Sequence, residues 1–288
     1  MKKICMLCLC ILCFSCKRKK EEAKKVSVPE ESATIPETKD NLIQKESFQK
    51  IIDSASLKGS ILLFDIKKER YYSNDFVWAN TGKLPASTYK IPNSIIGLET
   101  KEIDSNTIFK WNGEKRMFKS WEADLTLYQA FQRSCVPCYQ EVARKVGVKR
   151  MNHYIEKFQY GTIKVDSANL ENFWLIGKAK ITQFQQIDFL KRFQQEILPI
   201  SKRTSTIVKE IMIIKETENY VLRGKTGWSI EGEHHNGWFV GYIESNDQLV
   251  FFATNVEPIS KDFDRKKFQR NRKLITFNAL EQLFGMKL

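Results

Sequence analysis

Histidine is scarce in this chain, and so is cysteine beyond the first sixteen residues. Three histidines occur among 288 residues, at positions 153, 234 and 235, and only Cys135 and Cys138 follow Cys16. A structural zinc site needs about four such ligands, so we expect no metal centre. Two cysteines three apart fit a redox C-x-x-C motif, a disulfide or plain core residues. We favour reduced core thiols over a redox pair.

The chain also lacks the repeated apolar runs of a multi-span membrane protein. Residues 4–15 form one apolar stretch, which is too short to span a bilayer but fits a signal peptide. Ser15-Cys16 at its end resembles a bacterial lipobox. We therefore expect residues 1–16 to be a lipoprotein signal peptide, with Cys16 lipidated as the mature N-terminus; an uncleaved signal anchor is the alternative. The protein would be secreted across the inner membrane and lipid-anchored in the periplasm or at the outer membrane.

Acidic residues are in deficit. Lys and Arg number 47 against 34 Asp and Glu, which gives a formal charge of +13, and much of the excess lies at residues 17–25 and 261–273. Nucleic-acid binding is one interpretation of such a balance. No nucleic-acid motif is recognisable, however, and a secreted protein rarely meets DNA. We interpret the charge as a basic surface attracted to anionic membranes or substrates, and expect no nucleic-acid partner.

Residues 17–46 lack aromatic side chains and are rich in Lys, Glu, Ser and Pro. Such a composition cannot bury a core, so it predicts a flexible tether. The globular domain is expected over residues 47–288. The chain as a whole has 42% apolar and 28% charged residues, which is ordinary for a globular protein.

Strand patterns lie at both ends of this domain, around a helical middle. Apolar runs and turn residues predict strands at 59–66, 69–73, 220–225, 237–244 and 249–254, the last two joined at Asn246-Asp247. Helical spacing is found within residues 87–200 and again at 266–284. The fold class predicted is α/β: an antiparallel sheet flanked by helices, with an inserted mainly helical region.

The first chemical motif is Ser87-Thr88-Tyr89-Lys90, after Pro85. Ser-x-x-Lys at the start of a helix places both side chains on one face, one turn apart. A serine hydroxyl needs a nearby base to become a nucleophile, and a lysine can serve only if its charge is neutralised or modified. The spacing alone is weak, since Ser47 and Lys50 share it. The apolar helix that follows Lys90 favours a buried, functional lysine.

The second motif is Lys225-Thr226-Gly227-Trp228, at the end of a predicted strand. It puts a cation and a hydroxyl on one strand edge, and the glycine lets the backbone approach a ligand closely. Ser-x-x-Lys early in the chain and Lys-Thr-Gly late form the signature pair of the penicillin-recognising serine enzymes. The pair in this order is far more specific than either part.

A third motif, Ser134-Cys135-Val136, stands where related enzymes carry Ser-Asp-Asn. It resembles the Ser-x-Val of the class D, oxacillinase-type, serine β-lactamases. The similarity extends outward over residues 85–99, 111–121, 134–147, 173–182 and 237–255. It therefore covers most of the domain, from about residue 59 to residue 284.

The resemblance implies a role for each matching residue. Ser87 would attack the β-lactam carbonyl and form an acyl-enzyme. Lys90 would be carboxylated by CO2 or bicarbonate and serve as general base, with no other cofactor. Trp174 would donate its indole N–H to that carbamate, and Ser134 and Lys225 would complete the catalytic set.

The resemblance also implies a set of substrate contacts. The backbone N–H groups of Ser87 and of Trp228 would form the oxyanion hole. Other residues expected to contact a β-lactam substrate are Thr226, Gly227, Val136, Tyr160 and the carboxylate-binding Arg272. One departure is Thr162, where the family has Asn after Tyr160-Gly161, and this puts the geometry of that loop in doubt.

We expect hydrolysis of β-lactam antibiotics, and hence antibiotic resistance, but other functions stay open. A β-lactam sensor would need transmembrane helices and an effector domain, which we do not find in the sequence. A cell-wall peptidase is disfavoured by Ser134-x-Val136 and by Phe173-Trp174-Leu175, and a non-hydrolysing penicillin-binding lipoprotein by the intact motifs. The sequence leaves homodimerisation open.

Overall fold

A seven-stranded sheet forms the centre of the fold. The computed structural model describes residues 39–245, 247–286 and 288, so the signal peptide and the lipidation of Cys16 fall outside the described residues. Two further strands form a small separate ribbon. The strands are β1 Leu42–Gln44, β2 Leu57–Asp65, β3 Arg70–Ser73, β4 Ile108–Phe109, β5 Leu125–Thr126, β6 Ile213–Glu216, β7 Tyr220–Glu231, β8 His234–Ser245 and β9 Leu249–Pro258.

The order of strands in the main sheet is β1-β3-β2-β9-β8-β7-β6. Neighbours pair antiparallel except β1, which lies parallel to β3. The predicted antiparallel sheet is thus confirmed for six strands, with one parallel edge strand added. Strand β6 pairs with β7 only as far as Arg223. The rest of that edge of β7, which includes Lys225–Thr226–Gly227, carries no strand in the described part of the sheet.

Helices cover both faces of the sheet, and the predicted helical middle is confirmed. They are α1 Glu46–Ser54, α2 Phe76–Ala79, α3 Lys90–Glu99, α4 Leu127–Gln132, α5 Val136–Phe158, α6 Gln183–Gln194, α7 Lys202–Ile211 and α8 Arg265–Phe284. Capping boxes built on Thr126 and Thr182 begin α4 and α6. Gly285, with φ at +70°, ends α8, as a C-terminal glycine commonly does.

Each face of the sheet packs against its own apolar cluster. Leu62 and Phe64 of β2 point into a large cluster shared with α3, α5 and α6. Ile61 and Leu63 point into a second cluster shared with α1 and α8. This alternation is the two-residue period of a strand buried on both faces. The Ser-x-x-Lys and Lys-Thr-Gly motifs lie on the side of the large cluster, where the inserted helices meet β7.

Two local predictions need correction. Leu42–Gln44, within the stretch expected to be a tether, forms β1, because Leu42 and Ile43 pack against the two apolar clusters while β3 supplies backbone partners. Polar residues surround this short apolar pair, so the composition of the stretch did not indicate a strand. The strand predicted at 237–244 begins earlier, at His234, since the hairpin from β7 turns at 232–233. No helix of the described segments is long and apolar enough to cross a membrane.

The close contact between β7 and β8 is tested by Gly241→Ala. A Cβ at this position would lie 2.1 Å from the carbonyl oxygen of Arg223 and 2.6 Å from Cα of Gly224, both backbone atoms that cannot move aside. We expect the free energy of unfolding in urea to fall by about 2 kcal/mol, the usual cost of overpacking. The control is Gly82→Ala, whose Cβ meets only the Lys180 side chain. Equal stability of the two variants would contradict the predicted contact.

Candidate active site

Ser87 and Lys90 lie at the junction of a short 3-10 helix, Ala86–Tyr89, and helix α3. The Lys90 Nζ donates a hydrogen bond of 3.1 Å to Ser87 Oγ. Lys90 is only 1% exposed and Ser87 7%. Ala86, just before the nucleophile, has φ at +50°, a left-handed conformation that L-residues adopt only when the surroundings hold it. The second Ser-x-x-Lys differs sharply, because Lys50 is exposed.

Strands β7 and β8 hold the segment before the nucleophile. The carbonyl of Leu84 accepts hydrogen bonds from Trp238 Nε1 at 2.8 Å and from Asn236 Nδ2 at 2.9 Å. A Cβ on Gly227 would lie 3.2 Å from the carbonyl oxygen of Pro85, so β7 runs close beside the 3-10 helix. The fold therefore places the free edge of β7 next to the Ser87 hydroxyl.

Burial lowers the pKa of Lys90 from its ordinary value to about 7. Desolvation penalises the charged ammonium, and no buried carboxylate offsets it. Among the described residues the only buried acidic side chain is Asp65, which accepts from the Lys67 and Lys68 backbone in the turn after β2. A large fraction of Lys90 is therefore a neutral amine near pH 7.

A second serine–lysine pair faces the first. Lys225 Nζ donates to Ser134 Oγ at 3.0 Å and to the carbonyl of Thr226 at 2.9 Å. Burial, and then repulsion by Lys90 and Arg272, holds the pKa of Lys225 well below its ordinary value. Ser134 has φ at +55° and stands in the turn between α4 and α5. This pair can pass a proton, since a hydroxyl both donates and accepts.

Tyr139 joins the Lys90 side of the site to helix α5, a role the sequence did not reveal. Lys90 Nζ lies 5.1 Å from the centre of the Tyr139 ring. The Tyr139 hydroxyl shares a hydrogen bond of 2.6 Å with Ser94 Oγ, which in turn donates to the Lys90 carbonyl at 2.7 Å. In the sequence, only the position of Tyr139 five residues after Ser134 indicated a link to the site. Its helical spacing predicts no more than a core residue.

Trp174 is buried beside Tyr89, and its indole N–H has no partner among the described residues. It is 1% exposed and stacks on Tyr89, with the ring centres 6.0 Å apart. Within the described structure Trp174 Nε1 has no hydrogen-bond acceptor. A buried N–H without an acceptor costs free energy, so this N–H is available to donate to an acceptor held beside it.

Tyr160 is buried in the structure, and its expected contact with the substrate stays a prediction. It is 1% exposed, and its hydroxyl donates to Gln186 Oε1 at 3.1 Å. Gln186 Nε2 donates in turn to Thr88 Oγ1 at 2.9 Å. Gln186, which the sequence did not single out, thus links Tyr160 to the residue after the nucleophile.

The loop at Tyr160-Gly161-Thr162 depends on backbone contacts, which answers the doubt raised by Thr162. Thr162 and Lys180 exchange two backbone hydrogen bonds, of 2.8 and 3.0 Å. Gly161 has φ at +68°, and a Cβ there would lie 2.3 Å from the Lys180 carbonyl oxygen. The glycine therefore permits this geometry, and the side chain of residue 162 contributes no hydrogen bond to it in the structure.

Arg272 is buried beside the far end of β7, unlike its exposed neighbour Arg270. Its Nη1 donates to the carbonyl of Gly227, and its Nε has no acceptor among the residues described. Burial lowers the pKa of Arg272 to about 10. The half-buried Trp228 ring lies beside this guanidinium, 5.8 Å away, and Thr226 is half-buried too. Three basic side chains, Lys90, Lys225 and Arg272, are thus buried near one another.

Cys135 and Cys138 form a disulfide, so the expectation of reduced thiols was wrong. Cys135 is the N-cap of α5 and Cys138 lies in its first turn, which brings the two Cα atoms to 5.5 Å. A separation of three residues at a helix start allows both the free and the bonded state, so spacing did not decide between them. Val136, between them, is half-buried and packs against the large cluster.

Known proteins resemble this chain in sequence and fold. The model of the family described as "Penicillin binding protein transpeptidase domain" matches residues 55–271. β-Lactamase OXA-10 of Pseudomonas aeruginosa is 38% identical over 221 residues, 75% of this chain and 83% of that protein. A solved class D β-lactamase from Sebaldella termitidis has a TM-score of 0.79 at 35% identity, covering 84% and 97%. The C-terminal domain of the BlaR penicillin-receptor of Bacillus licheniformis has a TM-score of 0.78 at 28%, covering 86% and 98%.

The dehydration of Lys90 is tested by Lys90→Met in buffer free of CO2. Because the pKa of Lys90 falls from 10.5 to about 7 on folding, the unfolded chain binds the extra proton between these values. The stability of the unsubstituted protein should then rise with pH, relative to the variant, by up to about 1.4 kcal/mol per pH unit. Urea unfolding between pH 8 and 10 measures this slope.

The control for this slope is Lys50→Met, at the exposed lysine of the other Ser-x-x-Lys. Its stability relative to the unsubstituted protein should stay level over the same range, because the side chain remains in water. If the stability difference between Lys90→Met and the unsubstituted protein were also independent of pH, Lys90 would not be dehydrated.

Proposed function

The chain belongs to the class D β-lactamases, and on this basis we propose that it hydrolyses β-lactam antibiotics through an acyl-enzyme on Ser87. The observation that carries the proposal is the buried Lys90 amine, 3.1 Å from Ser87 Oγ, whose pKa of about 7 leaves a large fraction uncharged near neutral pH. A neutral amine can accept a proton or react with CO2, and an ammonium ion can do neither. Antibiotic resistance would follow from such turnover in the cell.

The residues around Lys90 fit a carboxylated side chain. The pocket holds buried Lys90, Lys225 and Arg272, and in the described chain no buried carboxylate balances them. The unpaired Trp174 Nε1 supports an acceptor in this region. We assign Trp174 as the donor that would hold a carbamate on Lys90, formed from CO2 or bicarbonate. The carbamate would supply a general base usable near neutral pH, for acylation and for deacylation.

Acylation needs a proton donor for the departing β-lactam nitrogen. Ser134 fits this role, because its hydroxyl can give a proton to the nitrogen and regain one from Lys225 at 3.0 Å. The depressed pKa of Lys225 makes its ammonium a better acid than an ordinary lysine. We therefore assign Ser134 and Lys225 to the leaving-group side, and Ser87 and Lys90 to the nucleophile side.

The free edge of β7 fits the substrate. Beyond Arg223 the backbone of β7 lacks a strand partner on this side, so the N–H of Trp228 can face the groove with that of Ser87 as an oxyanion hole. Thr226 and Arg272 would bind the substrate carboxylate, for which a guanidinium is well suited. Gly227 keeps the β7 edge free of a side chain, and Val136 would supply part of an apolar wall.

Multiple turnover of nitrocefin, a chromogenic cephalosporin, tests the proposal. We expect many substrate molecules hydrolysed per protein molecule, at a rate that rises when bicarbonate is added. A single burst equal to the protein concentration would instead favour a sensor, like the BlaR domain that the fold resembles, or a non-hydrolysing penicillin-binding lipoprotein. Release of product without any covalent intermediate would contradict the acyl-enzyme.

Two variants separate the roles within this experiment. Ser87→Ala should form no covalent adduct with a labelled penicillin, and persistent labelling would remove Ser87 from its role. Lys90→Ala should accumulate the acyl-enzyme, because deacylation then lacks a base. Lys50→Ala is the matched control and should hydrolyse nitrocefin at the unsubstituted rate. Rapid turnover by Lys90→Ala would exclude the carbamate mechanism.

The N-terminal assignments extend the proposal to location. We propose cleavage between Ser15 and Cys16, lipid on Cys16 and a tether that leads to the folded domain, so that the enzyme acts in the periplasm or at the outer membrane. Metabolic labelling with radioactive palmitate should mark the protein in the membrane fraction, and Cys16→Ala should abolish the label. An unlabelled protein of full length would favour the uncleaved anchor.

A further inference from the structure

We propose that the Cys135–Cys138 disulfide is a positioning element for Ser134, and that it sets the rate of acylation. The inference rests on the proposed function, since it concerns the proton transfer assigned to Ser134 above. Cys135 directly follows Ser134 in the turn between α4 and α5. Neither sulfur contacts the reacting groups in the assigned mechanism, so any effect of the disulfide must act through Ser134.

Ser134 stands in a conformation that needs external support. Its φ of +55° lies in the left-handed region, which costs free energy for a residue with a side chain. Backbone hydrogen bonds from Ser134 N to Phe131 O, at 3.0 Å, and from Cys135 N to Ala130 O, at 2.9 Å, tie the turn to the end of α4. On the α5 side the support comes from Cys135, whose Sγ accepts from the Cys138 N–H at 3.2 Å.

The disulfide connects the two serine–lysine pairs. Cys138 is followed by Tyr139, whose ring lies 5.1 Å from Lys90 Nζ and whose carbonyl accepts from Asn93 of α3 at 3.3 Å. Cys135 is preceded by Ser134, which accepts from Lys225 at 3.0 Å. A covalent bond between Cys135 and Cys138 therefore fixes the Ser134 turn relative to the first turn of α5, which carries the wall of the Lys90 pocket.

The constraint is local, which makes its effect on catalysis separable from its effect on stability. The bond closes a ring of four residues, so it restricts the unfolded chain far less than a bond across a long loop. A displaced proton donor, by contrast, can slow a reaction strongly even when the shift is below 1 Å. We therefore expect loss of the disulfide to lower the acylation rate constant clearly, while the melting temperature changes little.

A reductant can reach the bond only through the cavity beside it, because Cys135 is 1% exposed and Cys138 7%. Cys135 and Cys138 line a surface cavity of ≈ 330 Å³, together with residues such as Phe109, Trp121 and Pro137. A dithiol would reduce it in two steps. One thiolate attacks Cys138 Sγ, breaks the S–S bond and releases the Cys135 thiolate; the second thiol of the reagent then displaces Cys138. The reagent is oxidised to its cyclic disulfide, and the protein gains two electrons.

The experiment compares the full-length protein before and after reduction with dithiothreitol, which is removed before assay. Stopped-flow measurement with a reporter cephalosporin separates the acylation rate constant from the deacylation rate constant. We expect reduction to lower acylation about five-fold and to leave deacylation, which depends on Lys90, within about two-fold. Reoxidation should restore acylation, and the melting temperature should change by no more than a few degrees.

The control is the double variant Cys135→Ala/Cys138→Ala. It should acylate as slowly as the reduced protein and should not respond to dithiothreitol, which excludes an effect through the five cysteines at positions 5 to 16. Equal acylation by the oxidised and reduced protein would overturn the inference, and so would an equal loss in both steps. If the oxidised protein itself fails to hydrolyse the reporter, the proposed function fails instead, and the two outcomes are distinguishable.

Discussion

The site depends on one buried amine that has no counter-charge. Lys90 is 1% exposed, and its Nζ contacts a serine hydroxyl instead of a carboxylate. Burial removes the hydration that stabilises the ammonium form, so the proton is released near neutral pH. Lys225 is dehydrated as well, and repulsion by Lys90 and Arg272 lowers its pKa further. The chemistry we assign to Ser87 follows from this imbalance.

The fold creates the imbalance by joining elements that are far apart in the chain. Helix α3 carries Lys90, the start of α5 carries Tyr139, and β7 carries Lys225, so water is excluded from three directions. Both serines lie at left-handed backbone positions. Ala86, just before Ser87, has a positive φ, and so does Ser134 itself. Strain of this kind persists only when packing and hydrogen bonds over-determine the backbone. Trp238, Asn236 and the α4–α5 turn supply that support.

The Ser87–Lys90 pair and most of the sheet could be predicted from spacing, whereas Ser134 and Lys225 were brought together only by the family resemblance. Ser-x-x-Lys places Lys90 one turn from Ser87, and the strand patterns of β2, β8 and β9 follow from their apolar runs. Spacing does not predict whether the lysine is buried, since Ser47 and Lys50 have the same spacing and Lys50 is exposed. The disulfide, the burial of Tyr160 and the contacts of Tyr139 depend on tertiary packing that local patterns do not encode.

The central claim, that the dehydrated Lys90 amine takes up carbon dioxide, is tested most directly by ¹³C NMR of the protein in ¹³C-bicarbonate. We predict one slowly exchanging carbamate resonance that disappears in Lys90→Ala, persists in Lys50→Ala and weakens in Trp174→Phe, which lacks the indole donor. A spectrum without a carbamate signal, or a signal that survives the loss of Lys90, would contradict the account.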